Sequence, residues 1–313
     1  MKILHIGLGK TGTTFLQRWV FGDLCSQNKL EFNNNRIVTL FRKFMVFKLS
    51  PDEMGFLSSY LNDEEYLISN EDLLDWNPEQ WIYSLEKIRS IAPNNLKIFI
   101  TVRDPYAFLT SLYLQALREG NIIHYDKFFL DDTTYDQIYF NQPPSTLMAY
   151  PIEKFNLVEL EAIVRKYFED VCFYNIARGL SGPEVSQSLG LKYTVNDNQI
   201  RSKPSNLSIT RRHVALLLMR DKFIRKLGFR SISGFDYDPR AKWESINRKL
   251  ELNFFGFPEH LSRKRHLNLF SLCKAVGSRI LFFNDKPFKI PSEFFDKFHN
   301  LKVNSRFVGR LCR

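Results

Sequence analysis

The chain has 313 residues, 44% hydrophobic and 25% charged, enough for a sizeable buried core and close enough to the globular average to set aside disorder, collagen and coiled coil. It is basic, with 44 Lys and Arg against 34 Asp and Glu and a net charge of +10. Its cysteines, Cys25, Cys172, Cys273 and Cys312, are far apart and show no CxxC spacing, which argues against a zinc site or disulfide framework and fits a reducing compartment.

No charged-then-apolar signal opens the chain, and apolar runs such as residues 214–219 are far too short to span a bilayer, so a cytoplasmic protein is expected. In chain order, residues 2–6 form a short β-prone run, residues 7–12 a glycine-rich turn, and residues 13–21 show helical spacing at Phe15, Leu16, Trp19 and Val20. Further strands are predicted over 66–69, 97–102 and 171–175. Helices are predicted around Trp81, Leu85 and Ile88, over 107–117 and over 157–168. Strands separated by helices of this length require crossover connections, so the expected fold class is α/β, three layers around a central parallel sheet.

The second part differs in composition. Residues 180–206 are rich in Gly, Ser, Asn and Pro and read as a loop with one short helix, after which Asn206 or Ser208 could cap a long helix. Residues 1–200 carry 19 basic and 25 acidic side chains, whereas 201–313 carry 25 basic and 9 acidic. We therefore expect a core over 1–200 and a basic, mostly helical extension over 201–313 packed on it, together one structural domain. Such a contrast points to an anionic partner for the basic part.

The most informative stretch is His5-Ile6-Gly7-Leu8-Gly9-Lys10-Thr11-Gly12-Thr13-Thr14. A strand entering a glycine turn and then a helix N-terminus presents backbone N–H groups to an anion. Lys10 adds a full charge, and Thr11, Thr13 and Thr14 add hydroxyl donors. Gly7-x-Gly9-x-x-Gly12 also satisfies the dinucleotide fingerprint, which requires an acidic residue about 20 positions on at a strand end. Glu31 has the spacing, but residues 29–35 read as too polar for a buried strand end. A Walker A loop needs Gly-Lys-Ser/Thr at the helix start, whereas Lys10 here precedes Gly12. A nucleoside-triphosphate hydrolase is not expected.

These residues resemble those of the sulfotransferases that use 3′-phosphoadenosine 5′-phosphosulfate (PAPS), whose phosphosulfate loop reads Gly-x-x-Lys-Thr-Gly-Thr-Thr between strand and helix. Their second signature, Arg-x-Pro after a later strand with a Ser eight residues beyond the Arg and then a Tyr, is matched by Arg103-Asp104-Pro105, Ser111 and Tyr113. The resemblance implies a P-loop-like sulfotransferase fold, with Gly9, Lys10, Thr11, Gly12, Thr13, Thr14, Arg103 and Ser111 as donor-binding residues and PAPS as the donor, without a metal. An Arg beyond a strand of an open α/β sheet is independently well placed to recognise a phosphate. Two departures stand out. Phe108 occupies a position where many members carry a second Arg, and the late glycine-and-lysine loop is missing; Arg201 and Lys203 are the candidate substitutes.

Sulfuryl transfer is an in-line displacement governed by positioning and charge stabilisation. Lys10 would stabilise the leaving oxygen. Glu71, directly after the strand at 66–69, is the candidate base, with His124 as its competitor; the bland alternatives are that Glu71 caps a helix near Asp72 and that His124 is a surface histidine. The acceptor would be a hydroxyl, of a carbohydrate or glycolipid, and the basic extension could meet an anionic surface. No nucleic-acid motif is present. A Rossmann-type oxidoreductase, a non-catalytic anion- or nucleic-acid-binding protein and an inactive sulfotransferase-like protein are the rival readings.

Overall fold

The computed structural model describes residues 1–118, 123–141, 149–193 and 287–311, together with 211, 214, 215, 218 and 219. The chain begins with β1 (Lys2–His5), followed by a helical run in three pieces: α1 (Thr13–Phe15), a π-helical turn (Leu16–Val20) and α2 (Phe21–Asn28). Next come β2 (Glu31–Phe32), α3 (Asn35–Val46), α4 (Pro51–Asp63), β3 (Tyr66–Ser69), a 3₁₀ turn (Glu71–Leu73), α5 (Trp81–Ile91), β4 (Leu96–Val102) and α6 (Pro105–Arg118). After α7 (Tyr125–Phe128), β5 (Phe129–Leu130), α8 (Asp132–Asn141) and β6 (Tyr150–Pro151), the core closes with α9 (Leu157–Tyr167), β7 (Asp170–Asn175) and α10 (Gly182–Leu189). Helices over Ser292–Phe295 and His299–Arg310 lie near the C-terminus.

The central sheet is parallel, in the order β2-β3-β1-β4-β7. Strand alternation divides its side chains between two cores. Leu4, Tyr66, Ile68, Ile98, Ile100 and Phe173 join the apolar faces of α3, α5, α6 and α9. Ile3, Leu67, Phe99 and Tyr174 meet Leu16, Val20, Phe21 and Leu24 of the first helical run and Val185 and Leu189 of α10. Helices therefore cover both faces, compatible with the expected three layers.

Local signals explain the helices. Ser50, Pro51 and Glu53 form a capping box with a proline at the start of α4. Asn34 and Asn156 cap α3 and α9 through their side chains. In α3, Ile37, Leu40, Phe41 and Phe44 recur at helical spacing and all point into the core.

One expectation needs correction and one stretch adds an element. The polar stretch around Glu31, read as too polar for a buried strand end, holds a two-residue strand, β2, that is not buried: it pairs with β3 at the sheet edge, where an exposed residue carries little desolvation cost. The predicted helix over 13–21 is longer, running to Asn28, and contains the π-helical turn. The predicted short helix in 180–206 is α10, while the helix capped by Asn206 or Ser208 falls outside the described residues. The last helix packs on α6 and α9. Asn304 seals that contact by accepting from the Leu157 N–H at 2.8 Å and donating to the Phe155 carbonyl at 2.7 Å. Among the described residues, no helix is long and apolar enough to cross a membrane.

Candidate functional site

In an open parallel sheet, a crevice forms where neighbouring strands send their following helices to opposite faces. β1 has that relation to both its neighbours. Its helical run packs on the face of Ile3 and Phe99, whereas α5 after β3 and α6 after β4 pack on the other. The strand order thus puts the glycine loop at two switch points, one shared with Arg103 beyond β4 and one with Glu71 beyond β3. The strand order also separates this sheet from the dinucleotide folds, in which the acidic residue of the fingerprint ends a strand next to β1. Here β3 and β4 flank β1, β2 lies at the edge, and Glu31 accepts from the Tyr60 hydroxyl and the Asn34 amide, each at 2.7 Å.

The loop is pinned to β4. The Leu8 N–H donates to the Thr101 carbonyl at 3.0 Å, and the Thr101 N–H to the Gly7 carbonyl at 2.7 Å. Two glycines are required by shape. Gly7 (φ +122°) lies against the Glu71 backbone, and Gly12 (φ +84°) would push a Cβ to 2.8 Å from Leu180. Lys10 itself turns left-handed at φ 62°. At Gly9, by contrast, a Cβ would meet nothing within 4 Å. Among the described residues the space beside Gly9 is open, next to the start of a helix at Thr13, where an anion is favoured.

The threonines divide their roles. Thr11 is fully buried, and its hydroxyl donates to the Leu8 carbonyl and pairs with the Thr101 hydroxyl at 2.6 Å. Its side chain therefore belongs to the scaffold and is not turned outward as a donor. Thr13 is buried at the helix start and Thr14 is half-buried.

Arg103 donates to the Lys10 carbonyl at 3.1 Å, using one of its five N–H donors. Burial lowers its pKa, opposed by the nearby Asp104 carboxylate, and arginine stays charged regardless. Asp104 does not draw it to the surface, since its side chain accepts from the Ala107 N–H at the start of α6. Ser111 lies half-buried on α6. Phe108 is turned away into the core, stacked on Phe155 at 5.0 Å. Tyr113 is likewise fully buried and donates to the Ile123 carbonyl at 2.8 Å.

On the other side of β1, Asn70 caps the 3₁₀ turn by accepting from the Asp72 N–H. Glu71 is therefore not the cap. Its Oε2 lies 3.4 Å from the Gln17 amide nitrogen, which also donates to the Ser69 carbonyl and hydroxyl, each at 3.1 Å. Beneath them runs a buried polar row. His5 Nδ1 is 2.7 Å from the Ser69 hydroxyl, and His5 Nε2 is 3.1 Å from the Thr101 hydroxyl. Burial lowers the His5 pKa to about 3, so the ring is neutral.

A neutral ring donates once and accepts once, which fixes the direction of the row. Thr11 gives its proton to the Leu8 carbonyl, and the Thr101 hydroxyl has both the Thr11 hydroxyl and the Gly7 carbonyl, at 3.2 Å, as acceptors; with its proton directed at the loop, Thr101 accepts from His5 Nε2–H. Ser69 then donates to Nδ1 and accepts from Gln17. Residues His5, Gln17, Ser69 and Thr101 were not among the sequence candidates. The available signal was a polar residue near the end of each of three apolar strands.

His124 sits at the surface, where Nδ1 pairs with Asp126 at 2.7 Å and the ring packs on Tyr125. That is the surface alternative weighed against its role as a base. Arg201 and Lys203 lie outside the described residues. Among the described residues no group of three His, Cys, Asp or Glu side chains could hold a metal ion. No family model, no curated protein and no solved structure matches the chain.

Proposed function

We propose that this chain is a sulfotransferase that moves a sulfuryl group from PAPS to an acceptor hydroxyl, on a P-loop-like fold. The observation that carries the reading is the meeting, at the two switch points beside β1, of the Lys10 loop with Arg103 on one side and Glu71 on the other. PAPS supplies a sulfuryl group already attached to a good phosphate leaving group. Gly9, Lys10, Gly12, Thr13 and Thr14 would hold its phosphosulfate end, where the open space at Gly9 and the helix start suit an anion. Arg103, with Ser111, would hold the 3′-phosphate through a charge-assisted contact. Arg201 and Lys203 remain the proposed adenine-side substitutes.

Lys10 supports the reaction by stabilising negative charge on the departing oxygen, an effect strongest where charge develops. Glu71 takes the acceptor proton. Its carboxylate is presented beyond β3 and oriented by Gln17. The acceptor belongs to the hydroxyl-bearing glycans or glycolipids, and the basic residues 201–313 would draw the protein, working in the cytoplasm, to an anionic surface.

Calorimetry with 3′-phosphoadenosine 5′-phosphate (PAP), the donor product, against NAD tests the reading. PAP should bind and NAD should not. Binding of NAD alone would replace sulfuryl transfer with the dinucleotide reading. A screen with ³⁵S-labelled PAPS over glycans, phenols and lipids would then identify the acceptor.

A further inference from the structure

Gln17 belongs to no motif quoted above, yet its side-chain amide touches both the carboxylate of Glu71 and the strand end that carries it. Resting on the sulfotransferase reading, we infer that Gln17 is a positioning residue that fixes the Glu71 carboxylate and ties it to the phosphate loop. Three observations support this. The amide nitrogen has two N–H groups for three acceptors: the Ser69 carbonyl, the Ser69 hydroxyl and Glu71 Oε2. The Ser69 carbonyl is also served by the Asn33 amide at 3.2 Å, so with one Gln17 proton on Ser69 the other can go to Oε2, and among the described residues Oε1 stays open to an acceptor proton. The Glu71 contact, at 3.4 Å, is the longest of the three, a length compatible with a catalytic contact before substrate binds.

The second observation is the backbone. Gln17 lies in the π-helical turn Leu16–Val20, and single π turns inside helices are frequent at functional sites. The wider turn lets Leu16 and Val20 stay buried in the core while Gln17, between them in sequence, reaches the end of β3.

The third is the buried row below. The Ser69 hydroxyl that accepts from Gln17 donates to His5, which donates to Thr101, whose hydroxyl meets the loop at the Gly7 carbonyl and at Thr11, itself bound to the Leu8 carbonyl. A displacement of the loop backbone at Leu8 would disturb a chain whose other end holds the base. Nothing in this row is charged, and its hydroxyls and ring nitrogens all have partners in the row or on the loop backbone, so its geometry is held without a titrating group.

Two measurements test the inference. In protein labelled with ¹⁵N-glutamine, Glu71→Ala should move one of the two Gln17 side-chain amide protons and leave the other, bound to Ser69, in place. If neither moves, the contact does not exist in solution and the proposal is wrong. The second uses release of PAP from PAPS with water as acceptor, so that no acceptor need be known. Gln17→Met keeps the volume and removes the donor, and Gln17→Glu keeps the shape and removes it too. Each should lower kcat about tenfold to a hundredfold with PAP affinity unchanged, and neither should slow a Glu71→Gln protein further, because both act through one carboxylate. A full additional loss on the Glu71→Gln background overturns the positioning role but leaves the base intact. Glu71→Gln with undiminished turnover instead overturns Glu71 as base. The wild-type protein releasing no PAP above the enzyme-free rate removes the sulfotransferase reading itself.

Discussion

The two faces of the central sheet are buried in different ways. On one, Tyr66, Ile68, Ile98 and Ile100 meet α3, α5, α6 and α9 in an apolar core thick with rings, where Phe155 stacks on Phe108 and packs edge-on against Trp81. The other begins the same way, with Ile3, Leu67 and Phe99, but toward the carboxyl ends of the strands it changes to Ser69, His5 and Thr101 side by side. An apolar face needs only volume and shape, and tolerates repacking. A buried polar row must satisfy every donor and acceptor, and in return it fixes orientation. That row lies directly beneath the loop, so the face that gives up apolar burial is the one that sets the site.

The sharpest way to separate the faces is to damage the apolar one. Phe155→Ala removes a fully buried ring between Phe108, Trp81 and Tyr150. It should cost about 3–5 kcal/mol of stability in urea unfolding, while PAP affinity of the remaining folded protein stays unchanged. A loss of affinity with little loss of stability would mean that the ring cluster shapes the crevice and that the division between the faces is wrong.

Arg103 sits at the switch point and outside both cores, and the prediction there is the reverse. Arg103→Ala should leave stability almost unchanged but weaken PAP by about 1.5–3 kcal/mol, the value of a charge-assisted contact. The same change should barely alter binding of adenosine 5′-phosphate, which lacks the 3′-phosphate. Because Arg103 also donates to the Lys10 carbonyl, equal losses for both nucleotides would reassign it from reading the 3′-phosphate to steadying the loop. If Lys10 has the proposed role, Lys10→Ala should lower turnover more than PAP affinity, since a contact to the departing oxygen would strengthen as charge develops there.

How much of this was legible follows from the same contrast. The strands at β1, β3, β4 and β7 are short apolar runs and could be read directly. β2 could not, because a two-residue edge strand needs no apolar pattern and exists through its pairing with β3. In α3 the helical signal lies in the spacing of Ile37, Leu40, Phe41 and Phe44. Loop residues such as Lys10 and Arg103 announce themselves by motif. The polar row does not, because His5, Ser69 and Thr101 are far apart in the chain and only strand register sets them beside one another. Phe108 shows the opposite failure. Its distance from Arg103 suits a second binding residue, but the helical phase of α6 turns it into the core.

The last prediction concerns His5 and tests whether the polar row is neutral. Its pKa is lowered to about 3 in the folded chain from 6.5. Between those values the unfolded chain holds one more proton than the folded chain, so stability falls as pH drops through that window and is unaffected above it. The slope is about 1.4 kcal/mol per pH unit for one proton. Protonation would also turn Nδ1 into a donor and remove the acceptor that Ser69 uses. His5→Gln has no such proton to take up. It should be somewhat less stable than the parent at pH 8, through imperfect pairing with Ser69 and Thr101, and should lose stability less steeply from pH 6.5 down to 4.5. Carboxylates whose pKa is lowered by partners, such as Glu53 beside Lys43, titrate alike in both proteins and cancel in the difference. Urea unfolding at pH 8, 6.5, 5.5 and 4.5 would measure that difference directly. Parallel curves for the two proteins would mean that His5 takes up its proton without unfolding, and that the row beneath the loop can carry charge.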